Sequence, residues 1–291
     1  MSAKAPSRLP ITKTPKVYIG GAFVRSESAR TFKVSDARGA FFANMPQCTR
    51  KDLRNAVEAA AKSGPGWARR TAYNRAQILY RLAEMIEARS EELVASLVQF
   101  GAREADASKG MAVCVDRLIH YAGWADKYEQ LLGSVNPVAS AHFNFTVTEP
   151  MGVVGVIAPD TPPLLGLISM IAPVIASGNT VVALASEAVP YPAILLGEML
   201  ATSDLPGGVV NLLTGFRKEL VPTFATHSHI RAIYASAGAD DRKALRLGAA
   251  ASVKRVRFVD SDAKWFADSG QGLGAIRDFV ELKTTWHPIG S

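Results

Sequence analysis

Apolar positions recur along the chain in two rhythms, and the change between them falls near residue 150. In the first half the spacing is mostly helical. Thr49 stands as an N-cap before Leu53, Val57, Ala60 and Ala61, a helix expected to end near Gly64-Pro65. Ile78, Leu79, Leu82, Met85, Ile86, Leu93 and Leu97 keep the helical period from Asn74 to Phe100, with Gly101 as the stop. Asp106 to Leu132 forms another such segment, closed by Gly133. Ahead of these, Val17 to Phe32 reads as short β segments turning at Gly20-Gly21. Behind them, Phe143–Thr148 alternates strictly, which predicts an exposed or half-exposed strand.

The second half alternates short apolar runs with helix-sized segments. Strands are expected at Val153–Ala158, Thr180–Leu184, Val209–Leu213, Ile230–Ala235 and Val253–Val259. Helices are expected at Leu164–Ala176, Pro192–Ala201, Lys218–Ala225 and Asp240–Ala251. Such a series builds a parallel sheet, because each crossover needs a helix to bring the chain back. The runs are nearly all apolar, as strands covered on both faces must be. The fold class is therefore α/β, a doubly wound parallel sheet of the Rossmann-like type with about five strands.

Composition changes this picture little. The 291 residues, 48% hydrophobic and 20% charged, lie near the globular average and exclude a disordered, collagen-like or disulfide-scaffold chain. Thr161 to Ser186 carries no charge, but Pro173 and Ser177-Gly178-Asn179 divide it into a buried helix and a buried strand rather than a membrane span. Cys48 and Cys114 stand alone, with no Cys/His cluster for zinc and no disulfide pattern, which suits a cytoplasmic location. Residues 1–15 read as a loose arm, and Lys4, Arg8, Lys13 and Lys16 are followed by no apolar stretch of the signal-peptide kind.

Charge and chemistry are localised. The net charge is +7, and residues 217–257 hold most of it: Arg217, Lys218, Arg231, Arg242, Lys243, Arg246, Lys254, Arg255 and Arg257 against Glu219, Asp240 and Asp241. No aromatic interleaving or nucleic-acid motif accompanies them, so a solvated or subunit-contacting face is the better reading. A doubly wound sheet binds ligands at the carboxyl ends of its strands, and Glu187 follows the second strand, where an acidic residue takes ribose hydroxyls in dinucleotide sites. A solvated strand end or a helix cap explains the same residue. The glycine fingerprint of such sites, a Walker loop, a nucleophile elbow and an HExxH pair are all missing. His227 and His229 could offer half of a metal site, but with no third ligand nearby a surface loop is the better reading. Cys114 sits on the apolar face of a helix; Cys48 precedes a helix cap with no local base.

The stretch Glu149-Pro-Met-Gly-Val-Val-Gly-Val-Ile-Ala-Pro159 closely resembles the aldehyde dehydrogenase superfamily. So do Ile171-Ala-Pro173, Ser177-Gly-Asn-Thr-Val-Val182, Ser186-Glu187 and Leu205-Pro-Gly-Gly-Val-Val-Asn-Leu-Leu-Thr-Gly215. Tyr18–Phe23 and Gly66-Trp67 resemble the family's N-terminal hairpin and first helix, and Val280–Trp286 its final strand. The resemblance implies oxidation of an aldehyde by NAD(P), with a cysteine nucleophile, an asparagine amide at the oxyanion and a glutamate base. At the family's asparagine this chain has Thr161, and at the glutamate it has Val259. The family's ribose-binding lysine falls on Leu184, while Ser186 and Glu187 remain after it. In the turn that meets the cofactor pyrophosphate, Ser236 and Asp241 replace two glycines, and an aspartate there repels phosphate. Val259-Asp260-Ser261-Asp262 stands for the glutamate motif, and only a short segment separates it from the final strand, where the family places its cysteine-bearing catalytic domain.

By this resemblance the chain is a truncated, cysteine-less member, similar to the second unit of tandem aldehyde dehydrogenases. Residues 1–134 would form the arm, hairpin and helical part, 151–262 the Rossmann-like domain, 135–150 with 279–291 an oligomerisation arm, and 263–278 a short linker in place of the catalytic domain. The expected role is a non-catalytic structural or regulatory subunit of an NAD(P)-dependent aldehyde dehydrogenase complex. Its expected partner is a full-length subunit, met through Phe143–Thr148 and Val280–Trp286. Residual NAD(P) contact would fall to Pro159, Ser186 and Glu187, with no catalytic residue and no metal. Two alternatives stand beside it: an oxidoreductase with an atypical site, and a nucleic-acid-binding protein using residues 217–257.

Overall fold

The structure is a computed structural model that describes residues 13–259 and 263–290. Most of the expected N-terminal arm, and the triplet Asp260-Ser261-Asp262, lie outside the described residues.

Two hairpins open the chain, β1 (Val17–Ile19) with β2 (Ala22–Val24), and β3 (Thr31–Ser35) with β4 (Phe41–Pro46). Five helices follow: α1 (Arg50–Ala68), α2 (Ala72–Ala88), α3 (Ser90–Gln99), α4 (Glu104–Trp124) and α5 (Tyr128–Leu132). Strands β5 (Ser134–Asn136) and β6 (His142–Pro150) come next. The alternating half then runs β7 (Val153–Ile157), α6 (Pro163–Ala176), β8 (Thr180–Leu184), α7 (Tyr191–Thr202), β9 (Val210–Leu213), α8 (Arg217–Thr226), β10 (Ile230–Ala235), α9 (Ala239–Ala250) and β11 (Arg255–Phe258). A short helix α10 (Leu273–Arg277) and β12 (Val280–Pro288) end it.

The main sheet has the order β11-β10-β7-β8-β9-β1-β2. The five strands read from the sequence are its parallel part, and the β1–β2 hairpin extends it antiparallel to β9. The order reverses at β7, so the crevice of a doubly wound sheet lies at the carboxyl ends of β7 and its neighbours. One face is covered by α1, α8 and α9 around Leu53, Val57, Leu213 and Phe224. The other face is covered by α6 and α7, with α2 and α4 outside them. This explains why α6 is buried on all sides, from Leu164 to Ala176. Among the described residues no helix is long and apolar enough to cross a membrane.

Three helix boundaries differ from the sequence expectation, two of them for a tertiary reason. Helix α1 continues past Gly64-Pro65 because Trp67 is buried at 1% exposure and donates from its indole N–H to the Ile175 carbonyl at 3.0 Å. The long segment after Asn74 breaks at Arg89, whose guanidinium bridges Glu92 on α3 and Glu198 on α7. Apolar spacing continues across that break and so conceals it. The helix ending at Gly133 is likewise two, α4 and α5, separated at Ala125–Lys127. At the start of α1, Thr49 and Asp52 form a capping box, and Asp52 also accepts from Ser26 Oγ at 2.9 Å and Glu27 N at 2.8 Å. The buried carboxylate thereby ties the loop after β2 to the helix.

A second, three-stranded sheet has the order β12-β6-β5, with β12 and β6 antiparallel over their whole length. The segment before it is ordered as more than a linker. Arg117, 2% exposed, donates to the carbonyls of Trp265 and Ala267 at 2.8 and 2.7 Å, and the Gly272 N–H donates to Tyr121 Oη at 3.3 Å.

Candidate functional site

The carboxyl ends of β7 and β8 bring together the residues singled out from the sequence. After β7 the chain passes through Pro159, which is buried against Gly166 of α6; a Cβ on that glycine would come within 2.2 Å of the proline ring. This fixes the backbone from which Asp160 projects. Asp160 Oδ1 accepts from Ser186 Oγ at 2.9 Å, Glu187 N at 2.9 Å and Ala188 N at 3.3 Å, all on the turn after β8. Asp160 Oδ2 lies 3.1 Å from Arg217 Nη2, which also donates to the Ala158 carbonyl at 2.7 Å.

Glu187 is turned to a different task. Its Oε2 accepts from the backbone N–H of Arg217, the first residue of α8, at 2.8 Å. A carboxylate at a helix N-terminus satisfies a free donor and opposes the helix dipole. Ser186 Oγ accepts from Val189 N at 2.9 Å while donating to Asp160. The proposed ribose contacts thus meet in space, and each already has internal partners. Asp160 and Arg217 complete the cluster; the sequence places Arg217 only in the basic stretch and singles out no role for Asp160. Their signal was visible: a charged residue directly after the first strand, and an arginine opening the helix after the third.

Beyond β10 the crevice closes differently. Arg242, in the first turns of α9, folds back to donate to the Ala237 and Val259 carbonyls at 2.8 and 2.7 Å. Asp240 and Asp241 occupy the same N-terminal turn, and no close-approach glycine pair lies in front of it. Thr161 is exposed at the mouth of a pocket of about 560 Å³ between α3, α4 and the start of α6. Leu97, Met111, Cys114, Leu164 and Phe266 line that pocket with it. Val259 donates its N–H to the Ala235 carbonyl, prolonging the parallel ladder, and presents no titratable group.

Neither cysteine is placed as a nucleophile. Cys48 is fully buried, and burial together with the nearby Asp52 carboxylate pushes its thiol up to about 12. The helix that follows does not offset this, because the thiol packs into the core beneath the sheet. Cys114, 1% exposed, is pushed up further by burial. The rings of His227 and His229 lie 6.0 Å apart, and among the described residues no group of three metal-ligating side chains forms.

The basic segment does not make a continuous free cationic face. Arg217 and Arg242 are engaged as described, and Lys254 is buried with its ammonium donating to the Ala225 carbonyl at 2.8 Å. Burial, with Arg231 nearby, pushes that ammonium down to about 8. Arg255 bonds the Asp278 and Val280 carbonyls, and Arg257 pairs with Asp278.

Comparison with known proteins places this architecture. Residues 23–258 match the aldehyde dehydrogenase family profile. The chain belongs to that family. It is 36% identical over 259 residues to 2-hydroxymuconic semialdehyde dehydrogenase of Pseudomonas sp. (strain CF600), covering 84% of this chain and 52% of that protein. It is 31% identical over 281 residues to retinal dehydrogenase 2 of Gallus gallus, covering 90% of this chain and 54% of the relative. The NAD+ complex structure of aldehyde dehydrogenase from Bacillus cereus superposes with a TM-score of 0.81 at 25% identity, covering 91% of this chain and 58% of that one. The chain thus spans about half the length of the relatives it matches. The fold is that of an NAD-binding family, but the side chains at the crevice do not fit the dinucleotide. The Glu187 carboxylate, the Ser186 hydroxyl and the N–H groups of Glu187 and Ala188 each already have a partner within the chain.

Proposed function

We propose that this aldehyde dehydrogenase family chain is a non-catalytic subunit that assembles with, and stabilises or regulates, a full-length aldehyde dehydrogenase. The observation that carries the reading is the chemistry at the family's catalytic positions. Thr161 and Val259 stand where an oxyanion amide and a general base are needed, and both thiols are buried with raised pKa values. Among the described residues, those positions offer an aldehyde neither an accessible thiol nor a general base.

The arm supports a partner. β12 has an unpaired outer edge among the described residues, and Leu282 and Trp286 on it are 60% and 58% exposed. Phe143 and Val147 on β6 are exposed as well. A long strand edge flanked by apolar side chains is an association hazard unless another chain pairs with it. A sheet edge offered by a full-length family member satisfies its N–H and C=O groups by strand addition. Co-expression with a full-length aldehyde dehydrogenase, followed by affinity capture on a tag carried by this chain, tests the reading. A stoichiometric complex is expected; a soluble homodimer with no affinity for any full-length member contradicts it.

A further inference from the structure

The Asp160 carboxylate has the coordination of a bound anion. Two successive backbone N–H groups, a serine hydroxyl and a guanidinium converge on it, from Glu187, Ala188, Ser186 and Arg217. Adjacent N–H groups in a turn form a concave nest, and a guanidinium beside it completes a donor set suited to a free carboxylate or phosphate. We propose that this nest, built by the β8–α7 turn and Arg217, is an anion site permanently filled by the chain's own Asp160. The protein therefore carries an internal occupant at the crevice of its sheet and binds no dinucleotide there.

Three features hold the occupant in place, although 41% of the Asp160 side chain is exposed. Pro159, immediately before Asp160, is wedged against Gly166, so the aspartate leaves a fixed backbone. Ser186 is 2% exposed and receives the Val189 N–H, which leaves its proton directed to Asp160. Arg217 is held twice more, by its own backbone N–H on Glu187 and by Nη2 on the Ala158 carbonyl. Three segments, the ends of β7 and β8 and the start of α8, are thereby joined through one carboxylate. A dinucleotide needs a free carboxylate after the second strand for its ribose diol. Here Glu187 supplies its carboxylate to α8, and Asp160 takes the donors of the turn beside it. A ligand would have to break both sets before making its own.

This inference rests on the non-catalytic reading for its meaning but not for its test, since it is read from unfolding of the full chain alone, whereas the partner reading is decided by co-assembly. The wild type, Asp160→Ala and Asp160→Asn are melted in sodium chloride and in sodium formate of equal ionic strength, and the wild type is titrated with NAD+ by calorimetry. Loss of a charge-assisted set of this kind is expected to lower the Tm of Asp160→Ala by about 5 °C, with about half of it recovered in formate, which re-enters the nest. The wild type is expected to melt at the same temperature in both salts and to give no heat with millimolar NAD+. Asp160→Asn keeps an acceptor for the three donors, so it should lose less and respond little to formate. If Asp160→Ala does not fold in chloride, recovery of folded protein in formate supports the proposal, and failure to recover overturns it. An equal response of wild type and Asp160→Ala to formate, a collapse of Asp160→Asn, or submillimolar NAD+ binding by the wild type overturns it too.

Discussion

At the scale of single residues, reactivity is decided by burial. Cys48 and Cys114 look interchangeable with a nucleophile in a composition table, yet each lies at 1% exposure or less in an apolar core. Neither should react with a disulfide reagent in native protein at pH 8, and both should react once guanidinium unfolds it; a fast native reaction at either site would contradict the structure. The same burial predicts a pH effect. Cys48 is pushed from an ordinary value near 9 to about 12, so its contribution is fully present below pH 9. Between pH 9 and 12 the unfolded chain releases the thiol proton while the folded one keeps it, and stability falls as pH rises. Cys48→Ala should flatten that decline in urea melts. Sequence alone placed Cys114 correctly, from its helical spacing. It left Cys48 open, because its depth depends on how the strand before α1 passes beneath the sheet.

At the scale of elements, close approach between neighbours sets what the sequence may contain. β7 tolerates only a glycine at 155, since a Cβ there would come within 2.7 Å of the Phe224 ring on α8. Gly155→Val should cost about 1–3 kcal/mol through overpacking, read from urea unfolding. The segment between β11 and β12 is fastened by Arg117 to two carbonyls. Arg117→Met removes the donor to the Trp265 carbonyl, while Ala267 keeps its bond from Gly270 N. It should cost about 1–3 kcal/mol while opening the chain at Lys264 to trypsin. Unchanged proteolysis would show that this segment holds by other contacts. The alternating half of the chain was legible because its strands are short, apolar and regularly spaced. The β3–β4 hairpin was not assigned, although Asp36 and Gly39 carry its turn and Asp36 Oδ1 accepts from Arg38 N and Ala40 N. Its short strands alternate too weakly to stand out beside the helices. The break at Arg89 and the extension of α1 to Trp67 depend on ion pairs and burial from other elements, which spacing cannot carry.

At the scale of the whole molecule, the chain keeps the fold of the aldehyde dehydrogenase family. At the crevice beside β7, Asp160 pairs with Arg217, and Glu187 accepts from the Arg217 backbone N–H. The resemblance singles out Thr161 and Val259, but spacing along the chain does not show the contacts that Asp160 and Arg217 make. Those contacts join residues 57 positions apart, and only folding brings them together. Association through the arm predicts that Trp286→Glu leaves the isolated chain within about 0.5 kcal/mol of wild-type stability, because that side chain is exposed. The same change should abolish co-assembly. The most direct measurement is native mass spectrometry of this chain co-expressed with a full-length aldehyde dehydrogenase. The account predicts a mixed assembly containing both chains, lost in Trp286→Glu; separate homo-oligomers of the two proteins would contradict it.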